Sequence, residues 1–389
     1  MNRRRFLKNI GLTSGALITS RNTFSNILVK NNLTPNDFYV GTYGTGQSGG
    51  IYFCRLNVQT GEIELRHEIV GIDNPSFLAI GKENRFLYAV NEVTEMNGTP
   101  CGAVSAFAID SENGKLRYLN HQLTRGGSPC YISIDHSGNF VLTVNYSGGN
   151  VAVMPVLNGG NLGENVEFVQ HKGQSINPDR QSAPHPHSII ASPDNQYIFV
   201  PDLGLDKILI YKFDQEKGTL RLNNIPHVSL KSGAGPRHFT FHPNGKFAYV
   251  INELDSTITA FLYKSTKGEL KEIQTVSTLP EDYAGINYCA DIHIHPAGKF
   301  LYGSNRGHNS IAIFTINHET GIFTKTGHEP TQGDFPRNFA IESAGKFLLV
   351  ANQRSNNIVS FQIKDKTGEL IPTGYMIGIS KPVCIKFLN

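Results

Sequence analysis

Phe239-Thr-Phe-His-Pro-Asn-Gly-Lys-Phe-Ala-Tyr-Val-Ile-Asn-Glu253 returns twice along the chain in altered form. The copies are Asp291-Ile-His-Ile-His-Pro-Ala-Gly-Lys-Phe-Leu-Tyr-Gly-Ser-Asn-Arg306 and Phe339-Ala-Ile-Glu-Ser-Ala-Gly-Lys-Phe-Leu-Leu-Val-Ala-Asn-Gln353. Weaker copies start at Phe77, Tyr131 and Ser188, and the equivalent Asn or Asp falls at positions 91, 145, 202, 252, 305 and 352. A period of about 50 residues marks a repeat architecture. Within one copy, a short alternating strand meets a tight turn such as Pro243-Asn244-Gly245-Lys246, then a continuously apolar run, Phe247–Ile251. A third strand rich in β-branched and aromatic residues follows (Thr257–Tyr263), then a Lys-Gly turn and a polar fourth strand (Glu269–Ile273). No stretch sustains helical periodicity over three turns.

Four strands per unit predict the blades of an all-β, seven-bladed β-propeller. Six complete copies run from Asn74 to about Ser380. The seventh is split: Pro382–Leu388 reads as a first strand, while Phe38–Tyr43, Gly50–Leu56 and Ile63–Arg66 read as the second, third and fourth. Pairing the two ends closes the ring and removes an exposed sheet edge. Zero Trp argues against a Trp-Asp repeat. The domain is expected over residues 37–389.

The 389 residues carry a formal charge of +3, but residues 1–30 hold Arg3, Arg4, Arg5, Lys8, Arg21 and Lys30 with no acid, so the body is faintly acidic. A nucleic-acid binder would need a basic body, which disfavours that class. The basic start and the short apolar run Ile10–Ile18 predict an export leader of twin-arginine type over residues 1–30, hence a periplasmic location, with a cytoplasmic one as the alternative. No later window reaches ~18 consecutive apolar residues, so no membrane span is expected. The five cysteines show no C-x-x-C and no close pair, which speaks against a disulfide framework or a zinc site.

In a propeller, the start of each first strand and the end of each second strand open on the same mouth of the central channel. The first set is Ser76, Cys130, His187, Arg237, Ala290, Arg337 and Val383; the second is Tyr43, Glu92, Tyr146, Leu203, Glu253, Arg306 and Gln353. Arg237, Arg306 and Arg337 thus meet Glu92, Glu253 and His187. Several guanidinium groups in one pocket suit a carboxylate or phosphate ester, and a Glu and a His beside them suit acid–base work. A solvated salt-bridge cluster joining the blades is the competing reading. The repeated Asn/Asp series is expected to cap turns. His136, His242 and His295 fall on the opposite face. Asp291, His293 and His295 alternate on one strand, a poor metal geometry, and Asp291 is read instead as a substrate contact.

Gly235-Pro236-Arg237-His238, Val250-Ile251-Asn252-Glu253, Ala290-Asp291-Ile292-His293-Ile294 and Pro336-Arg337-Asn338-Phe339 resemble the seven-bladed lactonase family. That family includes propeller-type 6-phosphogluconolactonases and carboxymuconate lactonising enzymes. The resemblance covers roughly residues 37–389. It implies hydrolysis of a sugar lactone, or the reverse closure, with no metal or organic cofactor. It places catalytic roles on His187, Arg237, Arg306 and Glu253, with Glu253 or His187 activating water and the arginines holding the oxyanion. Glu92, His238, Asp291, Arg337 and Gln353 are expected to bind substrate. The partner expected is a small-molecule lactone, and the protein a monomer or weak oligomer. An export leader would be a departure from the cytoplasmic members and would favour an unphosphorylated lactone. Two further readings remain open: a calcium-assisted lactonase and a non-catalytic propeller that binds a peptide or glycan.

Overall fold

Among the residues described by the computed structural model, 32–96 and 98–388, the strands form seven four-stranded antiparallel sheets. The proposed leader lies outside these residues. Each sheet takes four strands in order, as in Pro236–Phe241, Phe247–Asn252, Thr257–Lys264 and Glu269–Ser277. The exception is the first blade, where Pro382–Phe387 pairs antiparallel with Asp37–Thr42 in the register Phe38↔Phe387 and Val40↔Ile385. The ring therefore closes by joining the two ends of the chain, as the split repeat predicts.

Burial explains the pattern of the strands. Second strands such as Phe247–Asn252 and Phe347–Asn352 are buried along their whole length, because a blade packs on each face. Continuous apolar runs follow from that. Outer strands such as Ile63–Val70 alternate half-buried and exposed residues. The core lies between blades: Phe199 of the fourth blade stacks on Phe239 of the fifth, centroids 5.5 Å apart. Each fully buried aromatic or aliphatic side chain there contributes about 1.5–3 kcal/mol.

Three kinds of repeated residue turn out to be fasteners between neighbouring blades. The turn before each fourth strand carries a glycine pressed against an aromatic ring of the adjacent blade. At Gly321, φ is +73° and an added Cβ would lie 2.4 Å from the Phe247 ring. Its carbonyl also accepts a hydrogen bond from Tyr249 Oη at 2.9 Å. On the face opposite the site, His242 Nε2 donates to the Gly298 carbonyl and His295 Nε2 to the Gly345 carbonyl, both at 2.9 Å. Some Asn side chains at the ends of the second strands reach back to the preceding blade, Asn145 Nδ2 donating to the Thr124 carbonyl and Asn352 Nδ2 to that of Thr331, whereas Asn252 Nδ2 donates to Thr257 and Thr259 of its own blade.

Candidate active site

Backbone irregularity aims the functional side chains. In most blades the first strand opens with a proline followed by a residue that slips out of register with the second strand. Pro236 pairs with Asn252 and His238 with Ile251, so Arg237 is the extra residue of a bulge. Cys130, Arg337 and Val383 occupy the same bulged slot. A bulge redirects one side chain out of the pleat, here toward the channel. The residue just past the second strand, such as Glu92 or Glu253, arrives from the other side.

These two sets enclose a cavity of about 330 Å³ lined by Glu92, Cys130, Tyr146, Arg180, His187, Glu253, Tyr288, Arg306, Phe335 and Arg337. An inner chamber of about 10 Å³ lies against Tyr43, Ser76, Phe77, Glu92, Cys130, Arg237, His238, Arg337 and Val383. Of the mouth positions read from the repeat, all but Leu203, Ala290 and Gln353 line one of the two.

Glu253 is the hub. Its Oε1 accepts from Arg180 Nη2 at 2.6 Å, and its Oε2 is 3.0 Å from Arg237 Nε and 2.8 Å from Arg306 Nη2. Burial alone would raise its pKa, but the guanidiniums of Arg306, Arg237 and Arg180 hold it far below the usual carboxylate range. The arginines are fixed in turn. Arg237 Nη1 donates to His238 Nε2 and the Ala290 carbonyl. Arg306 donates to the Tyr288 carbonyl at 3.2 Å and the Cys289 carbonyl at 2.8 Å. Burial lowers Arg306 to about 9, which leaves it charged at neutral pH. Arg237 Nη2 and Arg306 Nη1 make no hydrogen bond among the described residues, so each arginine keeps one nitrogen without a protein partner.

His187 lies buried in the cavity wall, with Nδ1 3.7 Å from the Cys130 sulfur. Burial, then the charges of Arg237, His238 and Arg337, hold its pKa well below the usual histidine value, so the ring is neutral. Burial pushes the Cys130 thiol up, so it stays protonated. His238 has both nitrogens engaged, Nδ1 on Asp291 at 2.7 Å and Nε2 facing Arg237 at 3.0 Å. Burial and Arg237 lower it to about 3.

On the opposite wall, Arg337 Nη2 donates to Tyr43 Oη at 2.8 Å, and Tyr43 donates to Glu92 at 2.8 and 2.9 Å. Ser76 Oγ also donates to Glu92. Glu92 keeps part of its surface open to the cavity, yet it sits deep enough in the ring for desolvation to raise its pKa.

The structure thus brings His187, Glu253, Arg306, Arg337 and Glu92 around the larger cavity, and Arg237 and His238 around the inner chamber. Asp291 and Gln353 line neither. Asp291 is buried, its oxygens occupied by His238, His293 at 2.9 Å and Asn338 at 2.5 Å, so it braces three blades instead of facing a substrate. The Gln353 carbonyl oxygen is buried without a partner among the described residues. Sequence reasoning missed Arg180, Tyr288 and Phe335. Arg180 comes from the long connection between Glu167–Gln170 and Ile190–Ala191, which has no counterpart in the other repeats. The five cysteines are buried and free, and Cys130 is part of the cavity wall. Among the described residues, no group of three or more His, Cys, Asp or Glu is placed to hold a metal ion, and no helix is long and apolar enough to cross a membrane.

A neutral imidazole and two immobilised guanidiniums thus meet at one mouth of a seven-bladed propeller. The family model for lactonases with a seven-bladed β-propeller matches residues 37–387, and the chain belongs to that family: it is a lactone-hydrolysing carboxylic-ester hydrolase. It is 37% identical to a 6-phosphogluconolactonase of Bacillus subtilis over 351 residues, 90% of this chain and 98% of the relative. It is 40% identical over 311 residues to a 6-phosphogluconolactonase of Formosa agariphila, covering 78% and 86%. The solved structure of a periplasmic gluconolactonase from Pseudomonas aeruginosa superposes with a TM-score of 0.85 at 31% identity, over 91% of this chain and 99% of that one.

Proposed function

We propose that this protein hydrolyses a phosphorylated sugar lactone of the 6-phosphogluconolactone type, with His187 as general base and Arg237 and Arg306 as the oxyanion site. The observation that carries the assignment is the triple clamp on Glu253. A carboxylate held by three guanidiniums at 2.6, 2.8 and 3.0 Å is a poor proton acceptor and a good anchor. His187 makes no hydrogen bond to a guanidinium and its Nε2 is unbonded among the described residues, so, although burial weakens its basicity, it is the group left to take a proton from water. As the water oxygen attacks the lactone carbonyl, charge develops on the carbonyl oxygen. The free nitrogens of Arg237 and Arg306 are held in place beforehand, so they stabilise that charge without reorganising.

The substrate class follows from charge. Arg180, Arg237, Arg306 and Arg337 oppose two carboxyl groups, and desolvation biases one of these toward its neutral form. An anionic lactone is favoured by that excess. The proposed reaction uses no metal, because the guanidiniums lining the cavity oppose a cation there. The unphosphorylated alternative draws on the leader-like residues 1–30 and on the periplasmic gluconolactonase of similar structure. Export of this chain is part of that alternative, and fractionation of cells expressing the full chain checks it.

The test is acid release in a pH-stat from a panel of lactones, phosphorylated and not. The phosphorylated sugar lactone should give the highest kcat/KM, chelator should leave it unchanged, and His187→Gln should lower kcat by about 10²-fold or more. A preference for the unphosphorylated lactone refutes the substrate assignment. A His187→Gln enzyme at full rate refutes the base.

A further inference from the structure

Hydrolysis needs two proton transfers, one from the attacking water and one to the departing ring oxygen, and His187 accounts for the first. We propose that Glu92 is the acid that protonates the leaving oxygen. The inference rests on the lactonase reading and adds a second catalytic group to it. Two carboxyl groups line the larger cavity, and the protein treats them in opposite ways. Glu253 touches three guanidiniums. Glu92 touches none; its contacts are the hydroxyls of Tyr43, from the first blade, and Ser76, from its own. Arg337 from the seventh blade makes no ion pair with it and donates to Tyr43 instead, although its charge is felt at Glu92. Cys130 of the third blade and Arg237 and His238 of the fifth complete the surroundings of the inner chamber, and Arg237 bears on Glu92 only weakly. The two hydroxyls and the charge of Arg337 favour the anion, but burial with no cation in contact outweighs them, so Glu92 keeps its proton more readily than a free glutamate. Environments that separate two carboxyl groups in this sense divide acid from anion.

The step balances. Water loses one proton to His187 as its oxygen bonds to the carbonyl carbon. The ring C–O bond then breaks, its electron pair stays on the ring oxygen, and the Glu92 proton passes to that oxygen to give a hydroxyl. The imidazolium of His187 returns its proton to the Glu92 carboxylate through the cavity. The product acid ionises and releases one proton to solvent.

Glu92→Gln and Glu92→Asp test the proposal by pH profile. In the wild-type enzyme kcat should fall as pH rises through the Glu92 pKa. Glu92→Gln should lose about 10²-fold or more in kcat, and the descending limb should vanish with it, while the acid limb set by His187 stays. Glu92→Asp should be slow yet keep a descending limb. A Glu92→Gln enzyme within about threefold of wild type, or a slow one that keeps the limb, overturns the assignment. Infrared difference spectra of wild type against Glu92→Gln give a readout free of turnover. A protonated carboxyl band should persist above the pH at which an ordinary glutamate, near about 4.3, has ionised, and its absence overturns the proposal. If the wild type shows that band yet opens no lactone, the lactonase reading fails and the protonated Glu92 stands apart from it.

Discussion

Glu253→Gln separates the anchor from a base more cleanly than any other substitution. The change preserves shape but replaces one acceptor oxygen by an NH2 that can only donate, facing guanidiniums that also only donate. Arg237 and Arg306 would then lie buried without their counter-charge, while Arg180, with 31% of its side chain exposed, can turn to water. Two charge-assisted hydrogen bonds at about 1.5–3 kcal/mol each give about 3–6 kcal/mol, in line with about 3–5 kcal/mol for breaking one side of a buried ion pair. The exposed Arg180 pair adds little. The pH dependence has a definite sign. The folded-state pKa of Glu253 is depressed, so its stabilisation is complete above the unfolded value of about 4.3 and disappears as pH falls toward the folded one. Urea unfolding at pH about 7 should therefore show the variant less stable by about 3–5 kcal/mol, with the gap narrowing on acidification below about pH 4. A variant as stable as wild type, or a gap that does not change with pH, would refute the clamp.

Other consequences are simpler to check. Arg180→Ala should lower kcat/KM for the phosphorylated lactone by about tenfold, the worth of one half-exposed charged contact, and for the unphosphorylated one by less; equal losses would deny Arg180 a part in substrate choice. Gly321→Ala should destabilise by about 1–3 kcal/mol, since its Cβ would overlap Phe247, whereas Gly245→Ala, with open space and φ +68°, should lose only about 1 kcal/mol. Thermal melts that rank the two equally would remove the glycine–aromatic fastener.

The repeat made most of the frame readable before any coordinates. Spacing of Asn91, Asn145, Asp202, Asn252, Asn305 and Asn352 fixes the blades, and the orphan strand at residues 382–388 fixes the closure. Reading across equivalent positions also finds His187, Arg237, Glu253 and Arg306, because every blade delivers the same two slots to the channel. The errors lie where position and orientation part. Gln353 shares a slot with Glu253 but lines neither cavity. Strand alternation gives the side to which Asp291 points but not its depth, and its strand slips register between Cys289 and Ile292. Arg180 sits in a connection outside the repeat, so no equivalence could place it. Whether Glu253 acts as base or anchor depends on how many cations touch it, and only distances decide that.

The most direct test is a crystal structure with the sugar-acid product bound. Its carboxylate should bridge Arg237 Nη2 and Arg306 Nη1, at about 3 Å from each, with His187 Nε2 alongside. An acid bound elsewhere, leaving those two nitrogens untouched, would contradict the site.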